Sequence, residues 1–403
     1  MRIAAWIWLL CFAACTSRAL PADAPLDDDA GVMPDTCESP AAAEALSCAE
    51  PRPTNPLPCG EVRRFHRGEV GTVGDLAADR DGALHHVWTG LGGELRYARC
   101  DRDCGDPSHW TETTLPASGF AALALGPDAE VHVLAKGGEY LSCSARCTEA
   151  SRWRSFNLDD AEWAALAVGP DASVHAASPE LYATCRRACT EAGSWSYGKF
   201  GGDDEAQRRL SVDEQGTVHF AQVESGDTGD CDADLSGYGR CERDCTSPDP
   251  WRRSTWPAPR TWDAPWIGAQ RLLAVGTDVA VVRAQDDGLV FRRCSDGCAD
   301  CRWSDPVVIP SARATEDFEV RADSGAAPTL VFSDDWGRGL RVVRCLGDCS
   351  DPCGWWADAV ALDEYVAPSA NIALAISDAE LHVTYQDAPE GEIRHASLPA
   401  GQI

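Results

Sequence analysis

The residues of this chain best equipped for chemistry are cysteines. Six Cys-x3-Cys couples, each followed by a Trp, recur in register: Cys100/Cys104 with Trp110, Cys143/Cys147 with Trp153, Cys185/Cys189 with Trp195, Cys241/Cys245 with Trp251, Cys294/Cys298 with Trp303, and Cys345/Cys349 with Trp355. Paired thiols can bind zinc or cross-link their own turn. Zinc fits poorly, because each repeat offers two cysteines with no paired His and no second couple at finger-like spacing. In an oxidising compartment such couples read as a disulfide framework, so six local rings are expected. Of the other cysteines beyond the leader, Cys37, Cys48, Cys59, Cys231, Cys301 and Cys353 allow ~15 pairings, and spacing does not choose among them.

The N-terminus supports the oxidising compartment. Arg2 precedes the apolar run Ile3 to Ala14, which is too short to span a bilayer, so residues 1–15 read as an export signal rather than an anchor helix. Leu10-Cys11-Phe12-Ala13-Ala14-Cys15 resembles a bacterial lipoprotein signal, which implies lipidation of Cys15; Phe12 departs from the usual Leu-like residue. The competing reading is ordinary cleavage after Ala22-Asp23-Ala24. Thr16 after the cysteine resembles outer-membrane sorting, so an outer-membrane lipoprotein is expected, with a secreted or periplasmic protein as the alternative. Residues 16–58 are Pro-, Ala- and acid-rich with few large apolar side chains, and read as a disordered tether.

Histidines form the second chemical set. His85, His132, His175, His219 and His382 occupy one place in five repeats. A ring of imidazoles suggests metal, but whole repeats separate these positions, so each His is expected to pack between repeats and donate to a backbone carbonyl. No metal site is expected. An insertion with Asp227, Asp230, Asp232 and Asp234 could take calcium, but no EF-hand spacing accompanies it, so no cofactor is expected either. The formal charge of −29, with lysine only at Lys136 and Lys199, excludes the clustered basic surface that nucleic acid requires.

The elements that must position these residues are short strands. Successive first cysteines stand 42 to 56 residues apart, a period that suits a four-stranded propeller blade. The second repeat shows strand a at 121–125, b at 130–135, c at 139–144 and d at 153–158. Strand a recurs as Leu76-Ala77-Ala78, Leu123-Ala124-Leu125, Leu166-Ala167-Val168, Leu210-Ser211-Val212, Leu273-Ala274-Val275, Phe318-Glu319-Val320 and Leu374-Ala375-Ile376, which makes seven units. Its small residues fit the crowded centre of a propeller. The seventh unit lacks strand d, and the run Gly60 to His66 supplies one. The expected fold is therefore all-β: a seven-bladed propeller of four-stranded blades over 59–403, closed by an N-terminal strand and pinned at its turns by disulfides.

Strand b, repeatedly ending a turn with Val-His or Leu-His, together with a patterned c–d turn before a Trp, resembles the sialidase-type, BNR-repeat propellers. Those families carry an Asp box, Ser-x-Asp-x-Gly-x-x-Trp, in that turn; here Cys-x3-Cys and the Trp occupy its place. The resemblance implies an axial site with arginines for a carboxylate, a carboxylic acid and a nucleophile. The family's Phe-Arg-Ile-Pro segment is absent, and no such set can be assembled from the sequence.

The repeated Trp residues are expected to cap blade interfaces. Function is expected on the opposite face, formed by the b–c and d–a loops, where the units differ most. Candidate ligand-binding residues there are Trp256, Arg260, Trp262, Trp266, Asp334, Asp335, Trp336 and Arg338. The resulting expectation is a monomeric, non-catalytic binding module for an extracellular glycan or protein, touching the membrane only through its lipid. A sialidase-like hydrolase and a structural envelope scaffold are the alternatives.

Overall fold

The computed structural model describes residues 63–158, 165–178, 180–199, 207–223, 235–247, 251–257, 270–276, 278–285, 288–295, 303–310, 312, 314–322, 327–334, 339–356, 359–363, 371–377, 380–387 and 391–399. Within them the chain is a seven-bladed propeller of antiparallel four-stranded blades, and no α-helix occurs among the described residues. In blade two the strands run Ala121–Leu125, Val131–Ala135, Glu139–Cys143 and Arg154–Asn157, close to the expected spans. The innermost strands touch in ring order from blade one to blade seven and back to blade one.

Closure is made by one long strand, Arg63–Ala78. Its first half pairs with blade seven, Arg63 facing Ser397 and His66 facing Arg394; its second half pairs with blade one, Gly71 facing Gly90 and Ala78 facing Leu84. The expected orphan strand d and the first strand a are thus one element. Gly71 makes the crossing possible. A Cβ there would sit 2.2 Å from the carbonyl oxygen of Thr89, and its amide donates to Gly391 O at 3.1 Å. Any side chain would push the closing strand off its neighbour in blade one.

The core is divided into slabs between neighbouring blades. Val87, Leu95 and Tyr97 of blade one pack on Leu123, Val131 and Val133 of blade two, and comparable clusters follow around the ring. Five Cys-x3-Cys couples are disulfide-bonded within their own turn: Cys100–Cys104, Cys143–Cys147, Cys185–Cys189, Cys241–Cys245 and Cys345–Cys349. Cys294 and Cys353 are disulfide-bonded as well, while Cys298 lies outside the described residues.

Each pinned turn presents its Trp in the same way. The indole N–H donates to the carbonyl of the second cysteine: Trp110 to Cys104, Trp153 to Cys147, Trp195 to Cys189, Trp251 to Cys245 and Trp355 to Cys349, at 2.7–3.1 Å. The ring edge then meets an aromatic side chain on strand c of the preceding blade. These pairs are Tyr97–Trp153, Tyr140–Trp195, Tyr182–Trp251, Tyr238–Trp303 and Phe291–Trp355, with centroids 5.0–5.4 Å apart, and His395 of blade seven meets Trp110 at 5.6 Å. The expected interface role of the Trp residues therefore holds. Edge-to-face pairs contribute ~0.5–1.5 kcal/mol beyond the area they bury, and each also aligns one blade on the next.

Candidate functional site

The strand-b histidines do not bond backbone carbonyls as expected. In four of the five, Nδ1 meets a tyrosine hydroxyl on strand c of the same blade: His85 with Tyr97, His132 with Tyr140, His175 with Tyr182 and His219 with Tyr238, at 2.6–2.7 Å, whereas Nδ1 of His382 has no hydrogen-bond partner among the described residues. On the other side of the ring, Nε2 of His85 reaches Asp79 at 3.3 Å and that of His219 reaches Asp213 at 3.1 Å; His175 reaches Ser173 at 2.8 Å, which donates to Asp171. A tyrosine, an imidazole and a carboxylate in series have the look of a proton relay. Their surroundings argue against catalysis: burial lowers His132 and His175 to about 4 and pushes the Tyr97, Tyr140 and Tyr182 phenols up. Each relay stays inside its own blade and holds strands b and c together. Among the described residues no group of three or more His, Cys, Asp or Glu comes together as a metal site.

The chemistry that does converge lies on the innermost strands. The strand registers place Asp75, Ala122, Ala165, Arg209, Arg271, Glu319 and Ala373 at one level, each opposite the strand-b residue two places beyond the histidine position. Arg321 lies on the same strand as Glu319, two residues further on. Arg271 Nε donates to Glu319 at 2.6 Å, and its guanidinium lies 5.2 Å from the Phe318 ring centre. Glu319 also pairs with Arg321, which extends past blade seven to Asp75 at 3.3 Å. Asp75 in turn accepts the amides of Leu76 at 2.9 Å and Leu123 at 3.1 Å. The tier thus links blades one, two, five and six near the axis, with the small Ala373 in blade seven leaving the way open.

Its electrostatics are uneven. Burial raises the Asp75 pKa, against the pull of Arg321. Glu319 is opposed by its own burial, yet Arg321, Arg271 and Arg209 together hold it below the ordinary carboxylate range. Arg209 is the odd member. The neighbouring Arg271 charge, with burial, lowers it to about 10, and no ion pair or hydrogen bond of its side chain occurs among the described residues. Three arginines thus face two carboxylates that are already engaged, which leaves one cation able to receive an anion.

Sequence reasoning missed this tier because its unit alignment slipped. The registers set Leu273 opposite Ala280 and Arg321 opposite Thr329, so blade five is displaced by one residue and blade six by two from the repeat alignment. The readable signal was charge inside strands otherwise filled by Ala, Leu and Val. Of the expected ligand-binding residues, the backbones of Trp256 and Asp334 sit at the strand ends that meet the b–c and d–a face, in Arg252–Pro257 and Pro328–Asp334. Arg260, Trp262, Trp266, Asp335, Trp336, Arg338 and the Asp-rich insertion lie outside the described residues.

No family model matches the chain, and no curated protein matches it. Among solved structures it is similar to the β-propeller domain of Cps50 (Swd1) from Myceliophteria thermophila, at 9% identity and a TM-score of 0.52, covering 81% of this chain and 97% of that one. It is also similar to an arginine-to-alanine triple mutant of AofleA from Arthrobotrys oligospora, at 11% identity and a TM-score of 0.47, covering 74% and 89%. The first likeness supports the propeller fold alone.

Proposed function

We propose that this protein is a non-catalytic binding module of a bacterial envelope, of sialidase-type propeller descent, exported and held by a lipid on Cys15. Its ligand is an extracellular glycan bearing a carboxylate, received on the face of the b–c and d–a loops. The observation that carries this reading is the axial tier, in which Arg209 stands beside Arg271 without a carboxylate of its own among the described residues. Arg271 is the second residue of its strand and Arg209 the third, counted from the end that meets the d–a loops. Both therefore stand near the strand ends at which an anion entering from that face arrives. Trp256, Trp262, Trp266 and Trp336, assigned to those loops by the sequence, would supply the stacking surface that sugar rings need.

A sialidase-like hydrolase would use the same arginines but needs free acid and nucleophile groups. Glu319 is clamped between Arg271 and Arg321, and Asp75 is held by two amides and Arg321. Neither is placed to attack or to donate a proton. The test is an array of neutral and acidic glycans probed with the full chain. Retention of acidic members, lost in Arg209→Ala and in Trp262→Ala/Trp336→Ala at unchanged melting temperature, supports the reading. Retention indifferent to Arg209 removes the axial site, and turnover of a sialoside moves the protein to the hydrolases.

A further inference from the structure

Blades two and three enclose a second feature, on the opposite face from the axial mouth of the loops. A cavity of about 350 Å³ opens between them, lined by Glu130, His132, Arg152, Arg154, Arg186 and Arg187, with the Tyr140 ring as part of its wall. Four arginines around one opening stand out in a chain of net charge −29. Arg152 is paired with Glu149 at 3.3 Å. The side chains of Arg154, Arg186 and Arg187 have no ion pair among the described residues.

The floor of the cavity carries an independent mark. Blades one and four provide Asp79 and Asp213 to the histidine six residues later, but blade two has Gly126 at that place. Glu130 does not replace it: its carboxylate stays 3.7 Å from His132 Nε2. That nitrogen is buried, in a residue only 3% exposed, and has no hydrogen-bond partner among the described residues. A Cβ on Gly126 would lie 3.2 Å from it, so Gly126 keeps the space beside the imidazole open. Leaving a buried polar atom unpaired is destabilising, and a ligand oxygen placed there would satisfy it.

We propose that this cavity binds a single sugar residue carrying an anionic group. Its volume lies at the small end of ligand pockets, which run from ~300 to ~1,000 Å³, and suits one pyranose ring. Arg154, Arg186 and Arg187 take the anion by charge-assisted hydrogen bonds. His132 Nε2 and Glu130 take ring hydroxyls. The walls are preset, since Arg186 and Arg187 sit inside the Cys185–Cys189 ring, Arg152 and Arg154 flank the fixed Trp153, and Tyr140 is braced against Trp195. Little ordering is then left for binding to oppose. The larger cavity between blades seven and one, about 600 Å³, sets Asp79, Asp81, Asp103 and Glu380 against Arg80 and Arg102, and lacks this cationic bias.

The test is a calorimetric or NMR titration of the full chain with glucuronate, glucose 6-phosphate, glucose and inorganic sulfate. The expected result is saturable binding of one or both anionic sugars, at least tenfold tighter than glucose and than sulfate. Arg154→Ala/Arg186→Ala should weaken it tenfold or more. Gly126→Asp, which supplies the carboxylate that blades one and four use, should also abolish it without lowering the melting temperature. Preference for glucuronate assigns a carboxylate ligand and preference for the phosphate ester an ester ligand, both within the proposal. Glucose or sulfate binding as tightly as the anionic sugars, no saturable binding, or binding indifferent to Arg154 and Arg186 would overturn it.

Discussion

Blades one to four and blades five and six solve the same packing problem with different polar groups. In the first set every strand-b histidine is matched by a strand-c tyrosine. In blade five both change together: Ala280 replaces the histidine and Phe291, a tyrosine without its hydroxyl, replaces the partner. In blade six the two places hold Thr329 and Val342. The Trp that would follow Val342 around the ring is missing too, since blade seven has no Cys-x3-Cys turn. Hydroxyl and imidazole are therefore lost together in blades five and six, while the indole of Trp355 still packs on Phe291. A buried polar atom left alone is far more damaging than none at all, and the two sets of blades obey that rule in opposite ways. Blades five and six also carry most of the charge at the axis, through Arg271, Glu319 and Arg321, to which blades one and four add Asp75 and Arg209.

The largest effect should come from breaking the axial arrangement. Glu319→Ala leaves Arg271, Arg321 and Arg209 facing one another with only Asp75 opposed to them. Removing one partner of a buried ion pair costs ~3–5 kcal/mol, and denaturant unfolding should show a loss of that order. A loss under ~1 kcal/mol would mean that the tier is solvated like a surface pair, and the contrast between the two sets of blades would lose its energetic content.

The outer relays should give a smaller and more diagnostic signal. Tyr182→Phe strands Nδ1 of His175 and should cost ~1–3 kcal/mol. His175→Ala in the same chain reproduces the pair found in blade five, and the double mutant should be less damaged than the sum of the single changes. A coupling of ~0.5–3 kcal/mol is expected for residues in direct contact. Additive losses would show that histidine and tyrosine are independent packing residues.

Acid should find the same relays. Burial lowers His132, His175 and His382 to about 4, below the ordinary imidazole value of ~6.5. Between those values the unfolded chain binds more protons than the folded one, so stability is complete above pH ~6.5 and falls as pH drops toward ~4. Each histidine contributes at most ~1.4 kcal/mol per pH unit within the window. Glu319 acts lower, its stabilisation being lost only as pH falls below the ordinary carboxylate range. Melting curves from pH 7 to 4 should therefore slope steeply, and His132→Leu/Tyr140→Phe with His175→Leu/Tyr182→Phe should flatten them. An unchanged slope would place the acid sensitivity elsewhere.

The contrast also explains what could be read from the sequence. Cys-x3-Cys and its Trp fix the c–d turn in six units, and from that frame the blade count, the closing strand and the local disulfides follow. The Tyr-x-x-Cys pattern of Tyr97, Tyr140, Tyr182 and Tyr238 was legible in the same rows, and would have named the histidine partners. The axial tier was not legible, because it depends on register between strands a and b. A strand has a two-residue period, so a one-residue slip moves a side chain to the other face. Blade five slipped by one residue and blade six by two. The tier also joins Asp75 to Arg321, which the chain separates by 246 residues.

The smallest effect lies within the first four blades, at the turn between strands a and b. Blades one and four place Gly82 and Gly216 there at φ 83° and 80°, whereas blades two and three place Ala129 at 58° and Ala172 at 62°. A left-handed conformation costs a residue with a Cβ ~1–2 kcal/mol, while glycine gives back part of that advantage through its freer unfolded chain. Ala129→Gly and Ala172→Gly should each stabilise by ~0.5–1 kcal/mol, read as a rise in the denaturation midpoint. The four pinned turns carry the same conformation at Asp103, Arg146, Ala188 and Asp244, with φ between 48° and 54°. There the disulfide already restricts the unfolded ring, so Ala188→Gly should recover less entropy loss and gain at least as much as Ala129→Gly. A loss of stability in Ala188→Gly would show that the Cβ makes a contact in that turn worth more than the strain it carries.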